Sequence, residues 1–418
     1  MTELTGAIVR LTLTTRLTRK IRADRRSVST KRYTWAAPGD VNAFFGLMLD
    51  NIADLVLTVG MLAAAFEFPT TFALQYMVPG TAIGVLVGDL LFFAMALALA
   101  RRTGRNNVTA MPLGLDTPST IGMVLFVLGP SFVFARTELG LDVDAAARYT
   151  WHIGICSIFL SGLFKIACAF SSGLIRRLVP RAGLLGSLTA IALVLISFLP
   201  LLEIVRMPIV GLTALAVILT TLVARVRLPL RIPGALGALL IAGTLYYVMR
   251  SAGLLEQSAE LPFDPRNALL PYEWLEVFRF GWLREFSDSL QYLPIVIPFA
   301  LATVVGGIDC TESAAAAGDE FDTRQVIGVE ALATLVAALC GGVIQTTPYI
   351  GHPAYKAMGG RAAYTLATAL FVGGAGVLGY FGFLYVLIPK PTVFPILVFI
   401  GLEITAQSFG ATPRRHYP

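Results

Sequence analysis

Two pairs of carboxylates stand where a charge is expensive. Asp50 and Asp54 lie four residues apart in NAFFGLMLDNIADLVLTVGML, with Asn51 beside them; Asp309 and Glu312 lie three apart in a second apolar run, with Ser313 on the same face. Helical spacing of three or four places each pair on one side of its helix. An ionised carboxylate deep in apolar surroundings costs several kcal/mol unless it is paired, protonated or hydrated, so such acids point to function first. Two close carboxylates suit a cation or a coupling proton, because each disfavours the charge on the other. The competing reading for Asp50 and Asp54 is a cap or a pair with Arg, and for Glu312 a salt bridge to Arg324. Asp309 reads as a substrate or proton site, since in a helix over about 291–317 it lies about 8 Å past the centre at about 1.5 Å per residue. Asp319 and Asp322 read as solvated loop charges.

Polar groups of another kind sit where helices break. In NNVTAMPLGLDTPSTIGMVLFVLG, Pro112, Gly114 and Pro118 disfavour a continuous helix, and GGVIQTTPYIGHPAYKAMGG is broken by Gly341, Gly342, Pro348, Gly351 and Pro353. Extended backbone at membrane depth is tolerated only where it is buried in protein or lines a cavity. A half-helix that starts there presents unpaired N–H groups and partial positive charge to an anionic or acceptor-rich ligand. Those starts are Thr117, Ser119 and Thr120 in the first break, and Gly351 to Ala354 in the second. Asp116 reads as the cap of the first. His352 suits substrate binding or proton relay, with a satisfied structural histidine as the alternative. Tyr349 and Phe45, with Phe44 beside it, suit stacking on a planar ring, against plain packing. Lys165, alone in apolar sequence, reads as a partner for one of the acids or as a snorkelling cation, and His152 as interfacial.

The elements that position these residues must be membrane helices. The 418 residues are 56% hydrophobic and 14% charged, far from the roughly 45–50% and roughly 25% of soluble domains, and the mean hydropathy is +0.74. The net charge of +6 does not indicate nucleic acid, because Lys and Arg fall in short clusters beside apolar runs. The four cysteines have no metal-ligand spacing and read as small buried residues. No phosphate loop, zinc-protease motif or soluble ATPase domain is present, so the reading is of a non-enzyme with no metal and no cofactor.

Hydropathy and breakers divide the chain into about twelve crossings: 41–65, 77–100, 107–134, 149–172, 182–202, 206–224, 230–250, 291–317, 325–341, 342–360, 362–388 and 391–409. A basic tail, 1–40, precedes them and is expected on the cytoplasmic side. Placing the N-terminus inside puts Arg101, Arg102, Arg105, Arg225, Arg227, Lys356 and Arg361 inside as well, which is the basic-loop asymmetry of a multi-pass protein of the bacterial inner membrane. The polar segment 251–290, with Tyr272, Trp274, Phe278, Phe280 and Trp282, is expected to lie at the outer interface. It separates 41–250, about seven crossings, from 291–418, about five. Each half carries one break at a matching position, the arrangement of an inverted repeat with its site at the repeat interface.

The stretch from Asp309 to Arg361, DCTESAAAAGDEFDTRQVIGVEALATLVAALCGGVIQTTPYIGHPAYKAMGGR, resembles the second-half signature of xanthine/uracil permeases (the nucleobase/ascorbate transporter family) and related hypoxanthine/adenine permeases. NAFFGLMLDNIADL and PLGLDTPS are similar to that family too. The resemblance implies a polytopic all-α fold of seven-plus-seven inverted repeats. Crossings one to four and eight to eleven would form a core domain and the rest a gate, with two broken helices and short strands framing the substrate. The same fold serves sulfate and bicarbonate transporters. Two departures stand out: Gly306 or Gly307 occupies the place of the family's glutamate on the eighth crossing, and Gly351 and His352 the place of its acid or amide on the tenth. The last two helices of that fold are expected to be missing after ATPRRHYP.

The functional expectation is a secondary transporter, a proton symporter of nucleobases implied by the resemblance. Asp309, His352, Gly351, Tyr349, Ser119, Thr120 and Phe45 would meet substrate; Asp50, Asp54, Asp309 and Glu312 would carry the coupling proton or Na+. The alternatives are a small-anion or carboxylate transporter on the same scaffold and a non-transporting subunit or sensor. The expected partners are a small molecule and the bilayer, with a homodimer left open and no nucleic acid.

Overall fold

The computed structural model describes residues 33–178, 192–255 and 264–411. The basic tail up to residue 32 and the start of the crossing at 182–202 therefore lie outside the described residues. Helix α1, Gly39–Phe66, runs for 28 residues and is stopped by Glu67 in the left-handed conformation. Its first turn is anchored from afar, because the Asp40 carboxylate accepts the backbone N–H groups of Arg361 and Tyr364. Helix α2, Thr70–Thr103, ends in Arg101 and Arg102, cations suited to the negative end of a helix.

The first break follows. Strand β1, Leu113–Leu115, leads into α3, Thr117–Thr137, whose N-cap Asp116 accepts the N–H of Ser119. Helix α4, Val143–Leu178, is the longest at 36 residues. A π-turn, Ala192–Phe198, enters α5, Leu199–Arg206, followed by α6, Pro208–Val223, and α7, Gly234–Ser251. The second half comprises α8, Leu293–Ala316, α9, Thr323–Leu339, strand β2, Thr346–Pro348, the short α10, His352–Ala357, α11, Ala363–Val377, α12, Phe381–Leu387, and α13, Lys390–Ala411. Among the described residues, α1 to α4 and the run Gly281–Ala316 that contains α8 are long and apolar enough to cross a bilayer alone. The protein is a multi-pass membrane protein.

Two packing groups emerge. Helices α1, α2, α4, α8, α9 and α11 pack on one another around the two strands, whereas α5, α6, α7 and α13 form a second group that meets the first along α1. Close approach in the first group depends on Gly80, Gly84 and Gly88, one stripe of α2 at helical spacing. A Cβ on Gly80 would fall 2.2 Å from the Cys340 carbonyl, and one on Gly84 would fall 2.6 Å from the Ala337 methyl. Small residues at membrane helix interfaces serve this purpose.

The packing adds detail to two of the expected segments and corrects the reading of one residue. The run 362–388, read as one crossing, is a pair of helices bent by 95°. Gly379 makes the bend, with φ of +78° and a Cβ position only 1.8 Å from the Ala268 carbonyl. The segment 251–290, where described, forms mostly 3-10 turns in which Tyr272 and Phe280 are exposed, while Trp274 and Trp282 are buried. Its polar groups clamp α4, through an ion pair of Arg148 with Glu276 and a bond from the Tyr149 hydroxyl to Asp288. Finally, Asp319 is no solvated loop charge. It is fully buried because three elements converge on it, as shown below.

Candidate substrate site at the paired broken helices

β1 and β2 come from opposite halves of the chain and pair antiparallel, with Gly114 opposite Thr347. Further bonds flank the ribbon: Tyr349 N–H to the Pro112 carbonyl at 2.8 Å and Asp116 N–H to the Gln345 carbonyl at 3.2 Å. A two-stranded ribbon leaves two outer edges, and in apolar surroundings each unmet backbone group costs free energy comparable to a lost hydrogen bond. Side chains meet them. On β1, Leu113 N–H donates to Asp89 Oδ1 on α2 at 3.1 Å and Leu115 N–H to Asn51 Oδ1 on α1 at 3.0 Å. On β2, Thr346 N–H donates to the Thr334 hydroxyl on α9 at 3.3 Å, and the Thr346 carbonyl accepts from Lys165 Nζ on α4 at 2.9 Å.

Lys165 has an acidic partner, but not one of the acids singled out from the sequence. It pairs with Glu330 on α9 at 2.9 Å, both side chains being fully buried. Glu330 reaches toward Gly307 on α8, whose absent Cβ would lie 2.8 Å from Oε2. A carboxylate thus fills the neighbourhood where the resemblance places a glutamate on the eighth crossing, but it arrives from the ninth. Sequence reading passed over both Glu330 and Asp89, although each is a lone acid in an apolar helix, VIGVEALATL and VLVGDLLFF. The rule applied to Asp50 and Asp309 would have selected them.

The remaining expected residues distribute as follows. Asp50 and Asp54 are buried under β1; Asp54 accepts from the Thr117 hydroxyl at 3.1 Å, and Asp50 Oδ2 lies 3.5 Å from where a Cβ of Gly114 would stand. No cation among the described residues pairs with either. Ser119 and Thr120 are buried in the first turn of α3. Asp309 and Glu312 are half-buried on α8, and the neighbouring Cys310 thiol reaches the Pro348 carbonyl at 3.3 Å. Phe45 is half-buried, edge-on to Phe44.

His352 is fully buried and turns toward the loops. Its Nε2 lies 3.2 Å from the Thr109 carbonyl and 3.3 Å from Asp319 Oδ2. Asp319 also pairs with Arg105 at 3.1 Å and Lys356 at 2.6 Å, and accepts the Thr109 N–H at 3.0 Å. Burial raises its pKa, but these donors outweigh burial and hold the carboxyl below its usual range. The cluster ties the lead-in of β1 to α10. Asp322 caps α9 through the Gln325 N–H.

Between the two packing groups lies a cavity of about 920 Å³. Tyr349, Gly351 and Tyr355 line it from one side, Gly46 and Asn42 from α1, and Phe399, Arg225 and Arg227 from the other. Among the described residues that line it there is no Asp or Glu. Among the described residues no group of three or more His, Cys, Asp or Glu could hold a metal ion.

No protein-family profile matches the chain, and no curated protein matches it. Solved structures do. The transmembrane domain of a cyanobacterial bicarbonate transporter, BicA, matches with a TM-score of 0.54 at 16% identity, covering 90% of this chain and 91% of that one. SLC26A9 matches with a TM-score of 0.48 at 12% identity, and this chain covers 58% of it. Together with the paired broken helices, the BicA match defines the class: an inverted-repeat membrane transporter fold, with a core that carries both strands and a gate packed against it.

Proposed function

We propose that this chain is a secondary active transporter of a small inorganic anion or carboxylate, working by movement of the core against the gate. The observation that carries the reading is the charge of the cavity wall: two arginines, Arg225 and Arg227, and no acid among the described lining residues. A cleft lined by one sign of charge raises the local concentration of the opposite ion. The start of α10, at Gly351 and Pro353, lies on the same wall. The fold match agrees, since BicA is a bicarbonate transporter. With the N-terminus inside, as the basic-loop asymmetry favours, Arg225 and Arg227 face the cytoplasm and the cavity corresponds to an inward-open state. Tyr349 and Gly351 meet the substrate directly, with Ser119, Thr120, Asp309, His352 and Phe45 behind or beside them. Asp50 and Asp54, buried without a cation, take up the coupling proton or Na+, with Asp309 and Glu312 on the opposite helix as the second pair.

Uptake into proteoliposomes tests this, using radiolabelled bicarbonate, sulfate, a short carboxylate and uracil with and without an imposed pH gradient. Saturable uptake of at least one anion and none of uracil is expected. Replacing both arginines with Gln should raise the anion KM about tenfold, the size of one to two screened charges at the mouth. Uptake of uracil alone would return the reading to a nucleobase carrier, and no flux at all would favour a subunit or sensor.

A further inference from the structure

The Lys165–Glu330 pair has no part in lining the cavity, yet it holds β2, the strand that leads into the lining residue Tyr349. Lys165 Nζ holds the Thr346 carbonyl at 2.9 Å, and Thr346 is the β2 residue opposite Leu115. Asp116, the N-cap of α3, donates its N–H to the carbonyl of Gln345, the neighbour of Thr346, and so lies at the same end of the ribbon. Three charges therefore converge where α3 starts: two carboxylates and one ammonium. Both members of the pair are fully buried, so solvent screens them little and their sum is felt across the ribbon. Without Lys165, Glu330 would add a second negative charge beside Asp116 at the start of α3.

We propose that the Lys165–Glu330 ion pair determines specificity: by cancelling the Glu330 charge behind β2, Lys165 lets the broken-helix site accept an anion. The inference rests on the anion reading above and names the residues that set its charge. Backbone support alone does not require this arrangement, because the Thr334 hydroxyl already contacts both the N–H and the carbonyl of Thr346.

The test is anion uptake by the full-length protein in proteoliposomes, with bicarbonate and sulfate as probes and thermal stability measured alongside. Glu330→Gln leaves an unopposed ammonium and should lower the anion KM about tenfold, the order of one weakly screened charge near the site. Lys165→Gln should raise it by a similar factor. The double variant Lys165→Gln/Glu330→Gln removes both charges and should return the KM to within about threefold of the wild type. A KM unmoved in the folded single variants overturns the proposal. If neither single variant is monodisperse, the double variant decides: a wild-type-like KM supports charge balance, and a loss of tenfold or more shows that the pair only positions β2. A wild type that moves uracil and no anion is a failure of the anion reading, a result visible before any variant is made.

Discussion

β1 and β2 face the same requirement, an open backbone edge inside an apolar core, but the two flanks meet it with different charge. The β1 flank uses Asn51 and Asp89 as acceptors and packs Asp50 and Asp54 close by, four polar side chains of which three are acids. No cation among the described residues offsets them, and one oxygen of each carboxylate has no hydrogen-bond partner. The β2 flank needs a donor for the Thr346 carbonyl and takes it from a lysine, which brings its own counterion, Glu330. One flank is electrically closed and the other is open to a positive charge from outside. The proposed function accordingly assigns β2 the part of a fixed wall and the β1 flank the gain and loss of the coupling proton or cation.

The sharpest way to break this comparison is Lys165→Met. It leaves a buried carboxylate and carbonyl without their cation and should cost about 3–5 kcal/mol, read as a lowered midpoint in detergent thermal unfolding. Lys165→Met/Glu330→Leu should recover most of that loss. A single variant as stable as the wild type would show that the β2 flank is not electrically closed.

Asp319→Asn should cost about 2–3 kcal/mol, since hydrogen bonds to a charged group are the stronger kind. Its carboxyl lies below its ordinary range in the folded protein, so it contributes stability above the unfolded pKa of about 3.9 and loses it as pH falls through the lower folded value. The gap between wild type and variant should therefore close below about pH 4.

On the β1 flank, Asp89→Leu should cost about 1–3 kcal/mol by stranding the Leu113 N–H, whereas Asp89→Asn, which keeps an acceptor and abandons no cation, should cost under about 1 kcal/mol. The smallest effect on stability is expected from Asp50→Asn with Asp54→Asn, within about 1 kcal/mol, because no ion pair is lost. Their signature is functional: flux should no longer respond to an imposed pH gradient. Flux that still follows the gradient would move the coupling site to Asp309 and Glu312.

Much of this was legible in the chain itself. Apolar composition, clusters of Arg beside apolar runs and the two Pro/Gly-rich breaks determined a multi-pass helical protein with paired broken helices, because helix length, loop charge and helix breaking are local properties. The sequence also marked Asp50, Asp54 and Lys165 as out of place. What it left open were questions of distance. That Glu330 rather than an α8 residue fills the notch at Gly307, that Asp319 in a short loop is buried by Arg105 and Lys356 from two other elements, and that His352 turns away from the cavity depend on packing between segments up to about two hundred residues apart. Spacing along a helix reports which side chains share a face; only the tertiary fold decides which charge from another helix arrives to meet them.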